Sequence, residues 1–287
     1  MTAPIRRPPS DLPHLAIEER GALAIGSGRV YIPFGGLYGD CGNYHGYVVA
    51  AHDDRDDTPS VWQSPVRGEA IWATAGPVVR PDGSVLIATG NATATADLSD
   101  PSGDAVLRLS ATDLHTLDSF APTNEVALSR TDRDLGSTSP ALLDGGLVFQ
   151  IGKDGVGYLV QGDHLGGLGG QIDSVSVCSN GAYGGTAYAA STVLVPCRDG
   201  LMAVRVANNH LSVAWRSASF VAGPPVVGHG TVWTIDLTAG VLHGLDATTG
   251  AEAFRGSIGA VPHFATPTIA GDRLLVVGDR RLLAYGS

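Results

Sequence analysis

Six stretches of this chain obey one local grammar, and that repetition restricts the fold more than any other feature. Each begins with a short apolar strand, passes through a turn containing Gly, Asp or Ser, and returns in a second apolar strand. They are "GALAIGSGRVYIPFGG", "AGPVVRPDGSVLIATGN", "TSPALLDGGLVFQIGKDG", "GTAYAASTVLVPCRDG", "AGPPVVGHGTVWTIDLTAG" and "ATPTIAGDRLLVVGDR". In four of them a proline sits early in the first strand: Pro77, Pro140, Pro225 and Pro267. Third strands follow, such as "GYVVAAH", "DAVLRLS" and "VLHGLD", and then fourth strands such as "SVWQSPV", "LSVAWRSA" and "AEAFRGS". Four strands recurring every 40 to 60 residues or so predict the blades of a β-propeller, at roughly the known blade period. One four-stranded sheet cannot bury both of its faces, so such units stack. The competing architecture is a β-sandwich of two packed sheets.

The expected fold is therefore all-β: four-stranded antiparallel blades, six of them, in a single domain over 19–287. Residues 1–18 form a separate N-terminal segment. In it, "DLPHLAI" is expected to supply the outer strand that the last unit lacks and so to close the ring.

Charge excludes several partners. The 287 residues carry a formal net charge of −10, and basic residues cluster no further than adjacent pairs such as Arg6-Arg7. A nucleic-acid binder shows a basic stripe, and none is visible. No run approaches the ~20 apolar residues that span a bilayer, so no membrane insertion is expected. "MTAPIRRPPSDLPH" has arginines but no apolar core after them, as a signal peptide would. That leaves either a cytoplasmic chain or a mature or truncated form.

"LHGLDATTGAEAF", residues 242–254, has a strand ending in Leu-Asp, an Ala-Thr-Thr-Gly turn and a new strand. This resembles the repeat of the pyrroloquinoline-quinone-like (PQQ-like), quinoprotein alcohol dehydrogenase-like β-propellers. The turns at Gly152–Gly155 and Arg198–Gly200 and the terminal "ATPTIAGDRLLVVG" fit the same repeat. The longer stretches "GRVYIPFGGLYGDCGNYHGYVV" and "DLGSTSPALLDGGLVFQIGKDGVGYLV" resemble an actinobacterial-type branch of that family, shortened at the N-terminus. The resemblance implies an extracytoplasmic location. It does not imply the cofactor. PQQ dehydrogenases of this fold use adjacent cysteines, whereas Cys41, Cys178 and Cys197 are far apart and no C-x-x-C-H haem motif occurs. No cofactor is expected.

Cys178 precedes the first strand of the fourth unit and Cys197 ends its second, positions that face each other in an up-and-down pair. They form either a disulfide, if the chain is exported, or two buried thiols. Cys41 is then unpaired. It lies in "GLYGDCGNYHG", a glycine-rich loop holding Asp40, Tyr44 and His45. With the first strand innermost, the lead-ins to first strands and the loops joining second to third strands share one face. The opening loop belongs to that face.

The channel-mouth binding candidates are Glu19, Arg20, Trp72, Tyr183 and His263 from lead-ins, with Asp40, Tyr44, His45 and Asn91 from joining loops. Trp72 and His263 have a structural alternative, packing between blades, and Glu19 with Arg20 has another, pairing with each other. The nine histidines show no H-x-x-x-H, so no metal is expected; "TADLSDPSGD" is more simply a solvated loop than a calcium site. The predicted function is a ligand- or partner-binding module, taking a small molecule or a protein at the channel mouth. The alternatives are acid–base catalysis of hydrolase, lyase or cyclase type in the same pocket, and a PQQ-dependent dehydrogenase.

Overall fold

The computed structural model describes residues 16–55, 57–93 and 102–286. They form six antiparallel sheets in chain order. The fourth shows the pattern: Ala187–Ala189, Thr192–Cys197, Gly200–Ala207 and His210–Arg216 pair consecutively as an up-and-down meander. The third and fifth sheets also have four strands, and the sixth has three, Thr268–Ala270, Arg273–Gly278 and Arg281–Gly286. Gly167–Leu168, from the third unit, adds in parallel to Phe120–Ala121 at the outer edge of the second sheet. This is the β-propeller architecture.

Burial follows position within each sheet. Central strands are covered on both faces, so they read as unbroken apolar runs: all four residues of Val85–Ala88 are buried. Outer strands keep one wet face, and His210–Arg216 alternates accordingly. The "LDATTG" turn of the fifth unit has a physical origin. Asp246 Oδ1 accepts from the Thr248 and Thr249 amides (3.1 and 2.8 Å), and Gly250 takes φ +73°. A Cβ on Gly250 would come within 2.5 Å of the Trp215 ring, whose Nε1–H donates to Ala247 O. The turn is thus the seat for the outer strand of the preceding unit.

Five apolar clusters glue successive sheets together, from the first–second pair to the fifth–sixth pair. Among the described residues no such cluster joins the sixth sheet to the first. Instead Leu23 and Ile25 of the first unit are 56% and 72% exposed, and Val277 and Leu282 of the sixth are 48% and 68% exposed. Packing between these two sheets therefore does not seal the seam among the described residues. Ile17–Glu18 pairs with Gly35–Gly36 of the first sheet rather than with the last sheet. The rest of the segment expected to close the ring, residues 1–15, lies outside the described residues, as do 94–101 of the candidate calcium loop.

Candidate functional site

A cavity of about 1010 Å³ opens where the lead-ins meet the joining loops. All six units contribute to its wall: Arg20 and Asp40, then Trp72 and Asn91, then Asp132, Asp134 and Lys153, then Tyr183 and Arg198, then Leu237 and Thr238, and last His263 and Phe264. Up-and-down connectivity explains the convergence, because every second return of the chain in each sheet ends at this face.

The opening loop is built around Tyr44. Its ring is buried between Ala16 and Ala70 and lies under the guanidinium of Arg67, 5.9 Å from the ring centre. A Cβ on Gly36 would come within 2.7 Å of that ring. Tyr44 donates to Asp40 Oδ1 at 2.5 Å, and burial together with this carboxylate pushes the phenol pKa well up. Asp40 takes φ +53° between Gly39 and Gly42, both also in the left-handed region. The loop therefore presents Asp40 to the cavity on a fixed backbone. Cys41 is exposed and free.

One wall is a run of cations and rings. Lys153 Nζ lies 5.4 Å from the centre of the Trp72 ring, Trp72 and Tyr183 are 6.4 Å apart, and the Arg198 guanidinium sits 5.9 Å from the Tyr183 ring. Lys153, the only lysine, donates to Asp132 Oδ1 (2.8 Å) and pairs with Asp134. Burial opposes its charge, but the two carboxylates outweigh that and hold its pKa above the ordinary value. Asp134 also accepts from the Asn91 amide at 2.7 Å. Behind it, Asp104 is fully buried and accepts from Ser129 Oγ (2.6 Å) and the Leu135 amide (2.9 Å). Desolvation pushes its pKa up to about 7, despite those hydrogen bonds.

Of the sequence candidates, Arg20, Asp40, Tyr44, Trp72, Asn91, Tyr183 and His263 line the cavity. Glu19 and His45 do not, and both expectations are corrected. His45 Nδ1–H donates to Ser64 O at 2.9 Å, which turns the ring toward the outer part of the first sheet. Arg20 pairs with Glu18, leaving Glu19 exposed. Phe220, another lead-in residue, stacks on His243 at 4.4 Å. Sequence reading missed Asp132 and Asp134. They are the lead-in to the third unit, in "RTDRDLGS", so the rule that found Trp72 also points to them.

Cys178 and Cys197 are joined by a disulfide with a Cα–Cα distance of 5.5 Å. The residues of the cavity do not suit the quinone–calcium pair of PQQ enzymes. There is no adjacent cysteine pair, Lys153 occupies one approach to Trp72, and Asp132 and Asp134 are already committed to that lysine. The one grouping of metal-ligating side chains among the described residues is Cys178, Cys197 and Asp199, and its cysteines are bridged.

No protein-family model matches this chain, and no curated protein does. Solved structures do. The chain is similar to quinohemoprotein alcohol dehydrogenase ADHIIG from Pseudomonas putida HK5 at 13% identity and TM-score 0.64, covering 90% of this chain and 55% of that one. Against a europium-containing methanol dehydrogenase the values are 12%, 0.65, 93% and 65%. Against BamB from Moraxella catarrhalis they are 14%, 0.55, 93% and 82%. The chain thus spans between half and two thirds of the two dehydrogenases. Likeness at these identities shows the fold alone, a β-propeller.

Proposed function

We propose that this chain is a ligand-binding propeller module that holds a small molecule in the channel-mouth cavity without a redox cofactor. The observation that carries this reading is the cavity itself: about 1010 Å³, assembled from all six units, with aromatic rings and both signs of charge in its wall. The acid–base reading has less support. It needs a histidine and a carboxylate within hydrogen-bond reach of a substrate. His45 is outside the cavity and engaged with Ser64, and His263 has no carboxylate partner among the described residues. A protein partner at the same mouth is the second reading. It is favoured by Tyr38, whose side chain stands 95% exposed on the rim. The Cys178–Cys197 bridge supports the extracytoplasmic placement, since such bonds persist in oxidising compartments.

The test is a thermal-shift screen of small metabolites against the wild type and a Trp72→Ala/Tyr183→Ala double variant. Ligands that raise the wild-type Tm are expected to lose that effect in the variant. Hits that stabilise both proteins equally, or a screen without hits, would overturn the reading.

A further inference from the structure

Most charged groups lining the cavity are already paired within the protein. Arg20 is held by Glu18, Lys153 by Asp132 and Asp134, and Asp40 accepts from Tyr44. Arg198 is different. It is exposed, lines the cavity, and rests on the Tyr183 ring, yet among the described residues its guanidinium has no carboxylate or carbonyl partner. It is a permanent cation in the cavity wall whose donors have no protein acceptor among the described residues.

Its backbone is nevertheless fixed. Cys197 is bonded to Cys178, the Arg198 amide donates to Gly181 O at 3.1 Å, and the Ser179 amide donates to Asp199 Oδ2 at 3.1 Å. Three successive residues of the joining loop are thus tied to the segment 178–181, and the same segment leads directly to Tyr183. A pinned loop that presents an unpaired, ring-backed guanidinium to a cavity is preorganised for a planar two-oxygen acceptor. Three other side chains of the cavity wall that have no hydrogen-bond partner among the described residues, the indole N–H of Trp72, the Tyr183 hydroxyl and the Asn91 carboxamide, can donate hydrogen bonds as well. Asp199, the acid next to Arg198 in the chain, is not part of that wall and accepts from the Ser179 amide.

We infer that the ligand of this cavity carries a carboxylate, and that Arg198 receives it. The inference rests on the reading of the cavity as a ligand site and adds the chemical class and the anchoring residue. The acidic wall does not contradict it, because Asp132 and Asp134 are both paired with Lys153, and no ion pair joins either of them to Arg198 among the described residues.

The experiment uses a panel of benzoate, phenylacetate, naphthoate and related acids, each matched with its neutral amide, titrated by calorimetry into wild type, Arg198→Gln and Arg198→Lys. The acids are expected to bind the wild type about tenfold or more tighter than their amides, the range of a charge-assisted hydrogen bond. Arg198→Gln is expected to erase that preference, and Arg198→Lys to keep part of it, with the Tm of all three proteins alike. Amides binding as tightly as acids, or an acid preference that survives in Arg198→Gln, overturns the inference while leaving the cavity as a ligand site. No binding by any acid or amide overturns both.

Discussion

Replacing Asp104 by asparagine is expected to stabilise the protein above neutral pH and to change little in acid. The side chain is fully buried, and its pKa rises from an ordinary carboxylate value to about 7 because desolvation outweighs the hydrogen bonds from Ser129 and Leu135. The folded state therefore holds a proton that the unfolded state releases near pH 4. A raised carboxyl pKa means that stability is full below the unfolded value and falls as pH rises through the folded one. A shift of ~3 units corresponds to ~4 kcal/mol lost above pH ~7, and local relaxation brings a realistic figure to about 2–4 kcal/mol. Asparagine preserves the geometry: its carbonyl accepts from the Leu135 amide and its amide donates to Ser129 Oγ.

The assay is scanning calorimetry of both proteins from about pH 4 to about pH 8. At roughly 2–4 °C per kcal/mol for a chain of this size, the variant should melt several degrees higher at the alkaline end. Asp134 and Asp154 are also raised by burial, so the wild type minus variant difference is the quantity to read. If the two Tm curves run parallel across the whole range, the buried-carboxyl argument is wrong. The consequence reaches the cavity, because Ser129 and Leu135 flank the segment that carries Asp132 and Asp134 into its wall.

Two further substitutions test the fold. Removing the disulfide as Cys178→Ala/Cys197→Ala, across a sequence separation of 19, should cost about 3 kcal/mol by the loop-entropy relation; an unchanged Tm under non-reducing conditions would show that the thiols are not bridged in solution. Leu282→Ser, on the uncovered face of the sixth sheet, should cost less than ~0.5 kcal/mol, whereas Leu274→Ala, on the face packed against the fifth sheet, should cost about 2–5 kcal/mol. Equal losses in chemical denaturation would mean that the seam between the sixth and first sheets is packed after all.

The parts of this molecule that were legible in the sequence are those governed by local chemistry. The "LDATTG" turn announced itself because Asp246 and Gly250 are required by hydrogen bonds and a positive φ within five residues of chain. The strand pairs were legible because burial on two faces demands unbroken apolar runs. Up-and-down connectivity then carried the argument to the site: lead-ins and joining loops end at one face whatever their sequence, and Trp72, Tyr183, His263 and Asp40 meet there. Side-chain direction within a loop has no such rule. His45 follows Tyr44 by one residue, yet Tyr44 plugs the loop from inside while His45 turns to the Ser64 carbonyl. The same reason exchanged Glu18 for Glu19 as the partner of Arg20.

The pairing of charges was illegible for a stronger reason, since it depends on contacts between units that no local pattern encodes. Lys153 and Arg198 occupy equivalent joining loops in successive units, and from sequence they are interchangeable cations. The structure distinguishes them through what the neighbouring lead-in brings. The irregular lead-in of the third unit supplies Asp132 and Asp134 to Lys153 and neutralises it. The lead-in of the fourth supplies Tyr183 to Arg198, a ring that supports the guanidinium without satisfying its donors. Two equivalent positions thus become a structural ion pair and a cation without a carboxylate partner among the described residues, and the difference lies in residues about 15 to 20 positions upstream of each cation.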